Sequence, residues 1–485
     1  MSHPTNRGSS KEMTIHMRRL DDIDAFWSKE WSNANESVGH RGCIRFTGDD
    51  VQLVMPFYQT TGLLTQVKTK EGYEYLASLF LYGRAEDGRY IVVVGASSTR
   101  SPWWIRGSAL LIAESAFEPV RPVESVRIKM IGLDQWLKTD DAENVKAQQD
   151  ERTTLFMDGL VRITSESAEE TEQPEHSKAS IVIEPKGEMG FCDVIDVASR
   201  LTSFVGFCCG FDAKITNMTI NFMDNPTSVQ CYVPFVTGRE PRDYQLGFIP
   251  LTRERLDGYV EAGVRAWLTS EGELVTPRAM LGALVSERWS LPLDLRFLTA
   301  AQVLEVLAKE SLASTEVDVE SSSEDNYEEM QKKTLNAIPN KALRTWANDH
   351  LKKKHARTGP NQEQRLRRLL ERYERTVKEL GISDVDAFIT HHVDSRNYYT
   401  HRTKPGDGTL YGSALNRHYE VVLLLCQYVM ADLSGIPEGV VARSYQESGY
   451  GKEARERYAA MEAAARQDRN PEERDAKSQS VEEDY

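Results

Sequence analysis

The sequence lacks the cysteine and histidine spacing that marks a structural metal site. Only six of its 485 residues are cysteines, and they form neither a CxxC pair nor a zinc-ligand pattern. Cys208 and Cys209 are adjacent, so they cannot easily reach a common metal ion. We therefore expect buried, reduced thiols in a cytosolic protein.

Motifs that bind cofactors or activate common nucleophiles are also missing. The chain has no GxxxxGK[ST] run, no dinucleotide fingerprint after a strand, no HExxH and no GxSxG. We therefore predict no cofactor and no metal.

Long apolar segments and an overall positive charge are absent as well. The longest mostly apolar run, residues 421–430, is too short to span a bilayer. The first residues have no apolar core, so we expect no signal peptide, no membrane partner and a cytoplasmic location. The net charge of −15 excludes a polybasic nucleic-acid coat, so any nucleic-acid site must be a local patch.

Hydrophobic periodicity predicts an α+β protein with a β-rich N-terminal domain followed by an all-α helical bundle. One helix is predicted within the β-rich part, over residues 193–207, and the strand candidates are 43–47, 51–55, 75–82, 90–94, 125–131, 154–163, 180–184, 217–223 and 229–235. Helical spacing takes over from residue 252, with long helices at 295–312, 362–380 and 413–433. The predicted divisions are a disordered lead (1–12), a β-rich domain (13–285), the helical bundle (286–442) and a charged tail (443–485).

One six-residue segment combines a permanent cation, a polar group and a proton-transfer group in a predicted helix. It runs from Arg396 through Asn397 to His401. Arg396 suits a phosphate because its guanidinium holds two oxygens and stays charged, while His401 transfers protons near neutral pH. Asn397 lies four residues before His401, so we expect it to hydrogen-bond the imidazole. These groups suit metal-free phosphodiester cleavage.

A single histidine cannot easily act on both sides of an in-line displacement. Two such helices facing each other in a homodimer would supply two histidines and two arginines, which predicts a site at a dimer interface. The alternative is an ordinary helix end that carries cations near its C-terminus.

Candidate RNA-binding residues surround this segment. Between residues 341 and 378 there are twelve cations and four acidic residues, a local balance of +8. From this stretch and from the motif region we predict contacts to RNA by Lys352, Lys353, Lys354, Arg365, Arg368, Tyr398, Tyr399, Arg402 and Lys404. A solvated helix face is the alternative for the cations, and packing in the core is the alternative for at least one tyrosine.

Other histidines near the segment have simpler interpretations. His391, His392 and Asp394 offer metal-ligating groups, but adjacent histidines point to different helix faces, which favours surface or supporting roles. His418, in the last predicted helix, is interpreted as a packing residue.

The Arg396-Asn397-x-x-x-His401 run in a C-terminal helical domain resembles the HEPN superfamily of ribonucleases. Residues 296–305 resemble the first helix of the ApeA-like HEPN group, and the two-part layout is similar to ApeA-type abortive-infection proteins of bacteria. The resemblance implies that Arg396 and His401 are catalytic, with Asn397 as the intervening polar residue.

The activity implied is that of a metal-independent endoribonuclease that cuts tRNA or another cellular RNA and dimerises, or forms a higher homo-oligomer, through its bundle. The role implied is anti-phage defence, in which the N-terminal domain senses a phage-derived trigger or restrains the nuclease. Some HEPN groups also carry a Glu and a basic residue four apart. Glu305 and Lys309 fit that spacing, although a surface ion pair between them is the favoured interpretation. The alternative function is a non-catalytic dimerisation or nucleotide-binding module with a ligand-sensing β-domain.

Overall fold

The structure of the protein is a computed structural model. It describes residues 23–30, 34, 39–46, 51–54, 64–69, 72–77, 80–95, 97–98, 104–137, 153–167, 179–211, 213–233, 250–269, 272–286, 291–313, 332–338, 341, 343–348, 361–402 and 404–469. The predicted lead (1–12) and Lys352, Lys353 and Lys354 lie outside the described residues. The chain forms two compact units, the first made of residues 1–134, 143–202 and 214–243, and the second of 135–142, 203–213 and 244–485.

The first unit is built on an antiparallel sheet. Its strands are β1 (Ile23–Ser28), β2 (His40–Phe46), β3 (Val51–Val54), β4 (Leu64–Thr69), β5 (Gly72–Ala77), β6 (Phe80–Ala85), β7 (Tyr90–Val94), β8 (Ser97–Ser98), β9 (Trp104–Gly107), β10 (Ala109–Ala113), β11 (Val123–Met130), β12 (Thr153–Met157), β13 (Val161–Ser167), β14 (Ala179–Pro185), β15 (Ile215–Phe222) and β16 (Val229–Tyr232). They lie in the order β12-β13-β14-β11-β15-β16-β10-β7-β6-β1-β2-β3-β9-β8-β5-β4. The N-terminal sheet region and the helical region that follows confirm the α+β fold class.

The buried indole of Trp27 defines the packing at the centre of this sheet. Its Nε1 donates a hydrogen bond to the Gly42 carbonyl at 3.2 Å. Gly83 is the register partner of Trp27 on β6, and a Cβ at position 83 would lie only 2.7 Å from the indole ring. Glycine is needed here because a larger residue would displace the indole from the core.

Two strand predictions were wrong in their boundaries. The predicted strand 75–82 spans parts of two strands, β5 and β6, and β6 continues through Gly83 instead of ending before it. The predicted strand 154–163 is a hairpin of β12 and β13. The chain turns there because the Asp158 carboxylate accepts hydrogen bonds from the backbone N–H groups of Leu160 and Val161, at 2.6 and 2.8 Å.

Most of the described helices belong to the second unit. The helices are α1 (Leu133–Leu137), α2 (Phe191–Cys209), α3 (Arg253–Leu256), α4 (Val260–Leu268), α5 (Val275–Ser286), α6 (Leu293–Ala313), α7 (Gln362–Arg372), α8 (Glu374–Glu379), α9 (Val385–His401), α10 (Gly412–Leu433), α11 (Glu438–Glu447) and α12 (Gly449–Arg469). Residues 250–285, predicted as part of the β-rich domain, fall in the second unit. Within the described parts of the chain, no helix is long and apolar enough to cross a membrane.

Helix α10 is the centre of the helical unit. Residues 418–431 are all buried, and α10 packs against α6, α11 and α12. The segment from residue 443, predicted as a charged tail, packs on the bundle as far as the middle of α12, where Tyr445 and Tyr458 bury their rings. Burying such large rings stabilises a helix that its charged residues alone would leave in solvent.

The predicted helix 362–380 is divided at Tyr373. The backbone leaves the helical conformation there, with φ −103° and ψ 37°, and the phenol donates a hydrogen bond to Asp432 at 2.7 Å. This contact with the end of α10 holds the break, after which α8 runs to Glu379 and the chain turns at Gly381 with φ 79°.

Candidate active site

The Arg-Asn-His segment forms the last turn and a half of α9. Asp384 caps the helix by accepting a hydrogen bond from the Ala387 N–H at 2.9 Å. The helix ends at His401 because Arg402 takes a left-handed conformation with φ 50°, and its N–H donates to the Tyr398 carbonyl at 2.7 Å.

Arg396 is half-buried and held by an acidic side chain of α6. Its Nη2 lies 3.5 Å from Glu305 Oε1, and each of these side chains is 26% exposed. Its Nη1 also donates to Asn397 Oδ1 at 3.3 Å. The predicted ion pair between Glu305 and Lys309 was therefore wrong: Glu305 pairs with Arg396, and Lys309 lies 3.9 Å from Glu310.

His401 is exposed, and it has no hydrogen-bond or ion-pair partner within the described part of the chain. The predicted hydrogen bond from Asn397 to the imidazole was wrong, since the Asn397 carbonyl oxygen accepts from Arg396 instead. Positions five apart on a helix lie about 140° apart around its axis. Arg396 and His401 therefore leave α9 on different sides, and one chain alone does not bring them together.

Two buried imidazoles lie on the inner side of α9. His392 and His418 pack 5.7 Å apart between the rings of Phe297 and Phe388. Burial, together with the nearby charge of Arg396, lowers the pKa of His392 to about 4. Burial also holds the pKa of His418 well below its ordinary value, so both rings are neutral at physiological pH. His418 packs in the core as predicted, but neither of its ring nitrogens has a hydrogen-bond partner among the described residues.

The loop after α9 folds back along the same helix and is hydrogen-bonded to it. His391 Nδ1 donates to the Gly408 carbonyl at 2.8 Å, and the Asp394 carboxylate accepts from the Gly408 N–H at 2.9 Å. Ser395 Oγ accepts from the Leu410 N–H at 2.9 Å. His391 and Asp394 thus anchor the loop, and among the described residues no three acidic, histidine or cysteine side chains form a metal site.

The predicted RNA-binding residues after the motif differ in their surroundings. Tyr399 donates to the Leu410 carbonyl at 3.1 Å and has the Arg402 guanidinium over its ring at 5.7 Å. Arg402 also lies 3.3 Å from Asp294. Lys404 is exposed, without an ion-pair partner in the described residues. Tyr399 is therefore a packing residue, whereas Lys404 is open to a ligand.

A small cleft separates α6, α7 and α9 beside the Arg396–Glu305 pair. It contains about 230 Å³ of empty space, including its open mouth, and Glu305, Gln362, Arg365 and His392 line it. Nδ1 of His392 and Nε2 of Gln362 are buried without hydrogen-bond partners among the described residues. Of the predicted RNA-binding arginines, Arg365 lines this cleft together with Glu305, the partner of Arg396. Arg368 is exposed on α7.

Residues 298–440 match the family model described as Apea-like HEPN. The resemblance drawn from the Arg-Asn-His segment is confirmed for this part of the chain. No curated protein and no solved structure matches the chain.

Proposed function

Because residues 298–440 form an Apea-like HEPN domain, a family generally of nuclease type, we propose that the protein is a metal-independent endoribonuclease. The observation that carries this proposal is the contrast within α9. Arg396 is held in place by Glu305, whereas the His401 imidazole is exposed and unpartnered among the described residues. A fixed cation and an accessible proton-transfer group are what RNA cleavage by its own 2′-hydroxyl requires.

In the proposed reaction an imidazole removes the 2′ proton, and the 2′ oxygen forms a new bond to phosphorus. The bond from phosphorus to the 5′ oxygen breaks, and an imidazolium supplies the proton that this oxygen needs. The products are a 2′,3′-cyclic phosphate and a 5′-hydroxyl. Arg396 stabilises the charge that develops on the phosphate oxygens.

We propose that two chains complete the site. HEPN domains typically dimerise and bind RNA, and Arg396 and His401 leave α9 on different sides of the helix. In a two-fold dimer His401 of one chain can serve the phosphate that Arg396 of the other chain holds. This arrangement also supplies the second histidine that acid and base catalysis require.

The biological role we propose is abortive infection in the bacterial cytoplasm, with tRNA or another cellular RNA as substrate. In this proposal the β-rich unit senses a phage-derived trigger or restrains the nuclease. The support is the joining of an antiparallel sheet unit to a nuclease-type helical domain in one chain.

The test compares wild-type protein with His401→Ala and Arg396→Ala on tRNA and total RNA in EDTA. We expect each variant to cut RNA ~100-fold more slowly or worse, because one positioned proton-transfer group, or one group that stabilises charge in the transition state, contributes about that factor. His40→Ala, which removes a half-buried imidazole from β2, is the matched control. Equal cleavage by wild type and His401→Ala would overturn the assignment, and full activity of both motif variants in cells would favour the non-catalytic module.

A further inference from the structure

Three tyrosines cluster where α9 ends and α10 begins. The ring centroid of Tyr398 lies 5.0 Å from that of Tyr399 and 5.5 Å from that of Tyr411, and both pairs meet edge to face. Tyr411 directly precedes α10 and makes no side-chain capping hydrogen bond to it.

The three rings are not equally available to a ligand. Tyr399 is used within the fold, because its hydroxyl is hydrogen-bonded to Leu410 and the Arg402 guanidinium covers its ring. Tyr411 is 49% exposed, and Tyr398 is half-buried beside it. Neither of these two hydroxyls has a hydrogen-bond partner in the described residues. Tyr411 and the half-buried Tyr398 beside it therefore present ring surface to solvent.

The position of the pair relates it to the proposed site. Tyr398 lies three residues before His401, so the two side chains leave α9 about 60° apart around its axis and about 4.5 Å apart along it. Lys404, exposed on the loop between the two tyrosines, adds a positive charge. An aromatic surface next to a cation suits a nucleotide, because the ring stacks on the base while the cation attracts the phosphate.

We propose that Tyr398 and Tyr411 form a stacking site for one unpaired base of the RNA, next to the phosphate on which His401 acts. The choice of ligand rests on the proposed ribonuclease function. Paired bases inside a helix do not present their faces, whereas bases in loops and single strands do. The site therefore selects RNA with a splayed base beside the cleaved bond, such as a hairpin loop.

A binding experiment tests the site without depending on cleavage. The probe is a short single-stranded RNA that contains 2-aminopurine and is 2′-O-methylated, so that no 2′-hydroxyl can attack. Stacking on a ring quenches its fluorescence, and we expect quenching by wild type and by Tyr411→Phe. Loss of the ring in Tyr411→Ala or Tyr411→Leu weakens binding by about 5- to 30-fold. Tyr259→Ala, at another exposed tyrosine of the helical unit, leaves binding unchanged.

Cleavage kinetics give a second readout. For a hairpin substrate, Tyr411→Ala raises KM by about 5- to 30-fold and changes kcat little, while Tyr411→Phe behaves as wild type. Tyr411→Ala has no effect on KM for a substrate that lacks an unpaired base at the cleaved position.

The outcomes separate this inference from the proposed function. Quenching that depends on Tyr411, without any cleavage of unmodified RNA, would leave the stacking site standing and overturn the nuclease proposal. Cleavage that requires His401, together with unchanged KM and unchanged quenching in Tyr411→Ala, would overturn the stacking site alone. Dissociation of a wild-type oligomer in Tyr411→Ala, measured by light scattering, would also overturn it and assign the ring to a contact between chains.

Discussion

Replacing Glu305 by Gln tests whether this carboxylate positions the cation of the proposed site. The substitution keeps the shape of the side chain but removes its charge from a position 3.5 Å from Arg396. At that distance and an effective dielectric constant of about 20, the attraction is about 5 kcal/mol. Desolvation of the two half-buried groups offsets most of this attraction. A net attraction of about 1 to 2 kcal/mol remains to hold Arg396 in one orientation.

We expect Glu305→Gln to lower kcat by about 5- to 30-fold and to leave KM nearly unchanged. The reason is that Arg396 still reaches the phosphate but is no longer fixed in one orientation. The assay is single-turnover cleavage of a defined RNA, with Glu305→Asp expected to retain part of the rate. Lys309→Gln is the matched control, because Lys309 is exposed and lies near Glu310 rather than Glu305.

Two results would refute this reasoning. A higher kcat in Glu305→Gln would mean that the carboxylate competes with the phosphate for Arg396 and restrains the enzyme. An unchanged kcat, with a folded protein by circular dichroism, would mean that Arg396 does not need this partner.

Three further predictions concern stability. The fold lowers the pKa of His392 from 6.5 to about 4, so its contribution to the free energy of unfolding is present above pH 6.5 and is lost as the pH falls. Urea unfolding should show about 3 kcal/mol less stability at pH 4, and His392→Phe should flatten this dependence on pH. Gly408→Ala places a Cβ 2.8 Å from an α9 side chain and should lower the free energy of unfolding by about 1–3 kcal/mol, measured by thermal melting. Gly159→Ala is the control, because nothing lies within 4 Å of a Cβ at that position, and we expect it to melt as wild type does. Tyr373→Phe removes the hydrogen bond to Asp432 and should cost about 2 kcal/mol in urea unfolding; an unchanged midpoint would show that the bond contributes nothing.

Local patterns in the sequence predicted much of the fold. The predicted helix 413–433 contains the apolar run 421–430 and is buried in the structure, because a helix that is hydrophobic on all sides must lie in a core. The turn between the predicted strands 75–82 and 90–94 is also local, since Gly88 takes φ 91° and Asp87 accepts a hydrogen bond from the Arg89 N–H. Both features depend on residues close together in the chain.

Features that depend on distant partners were not predictable. The break at Tyr373 is fixed by Asp432, 59 residues away, and the amphipathic pattern of 362–380 continues across it. The partner of Arg396 lies on α6, whereas the sequence offered Asn397 and His401 as its nearest polar neighbours. Tyr411 was not predicted as a binding residue, because a single tyrosine before a predicted helix forms no recognisable sequence pattern. Its contact with Tyr398 is visible only in the folded chain.

The divergence of Arg396 and His401 around α9 has a consequence for gene dosage. If two chains must meet to form one working site, then below the dissociation constant of the dimer the active species rises with the square of the chain concentration. Doubling the amount of protein then raises the activity about fourfold. A cell that keeps few copies then contains little of the active dimer, because the chains are dilute. An event that brings the copies together raises the concentration of the dimer without any change to the side chains.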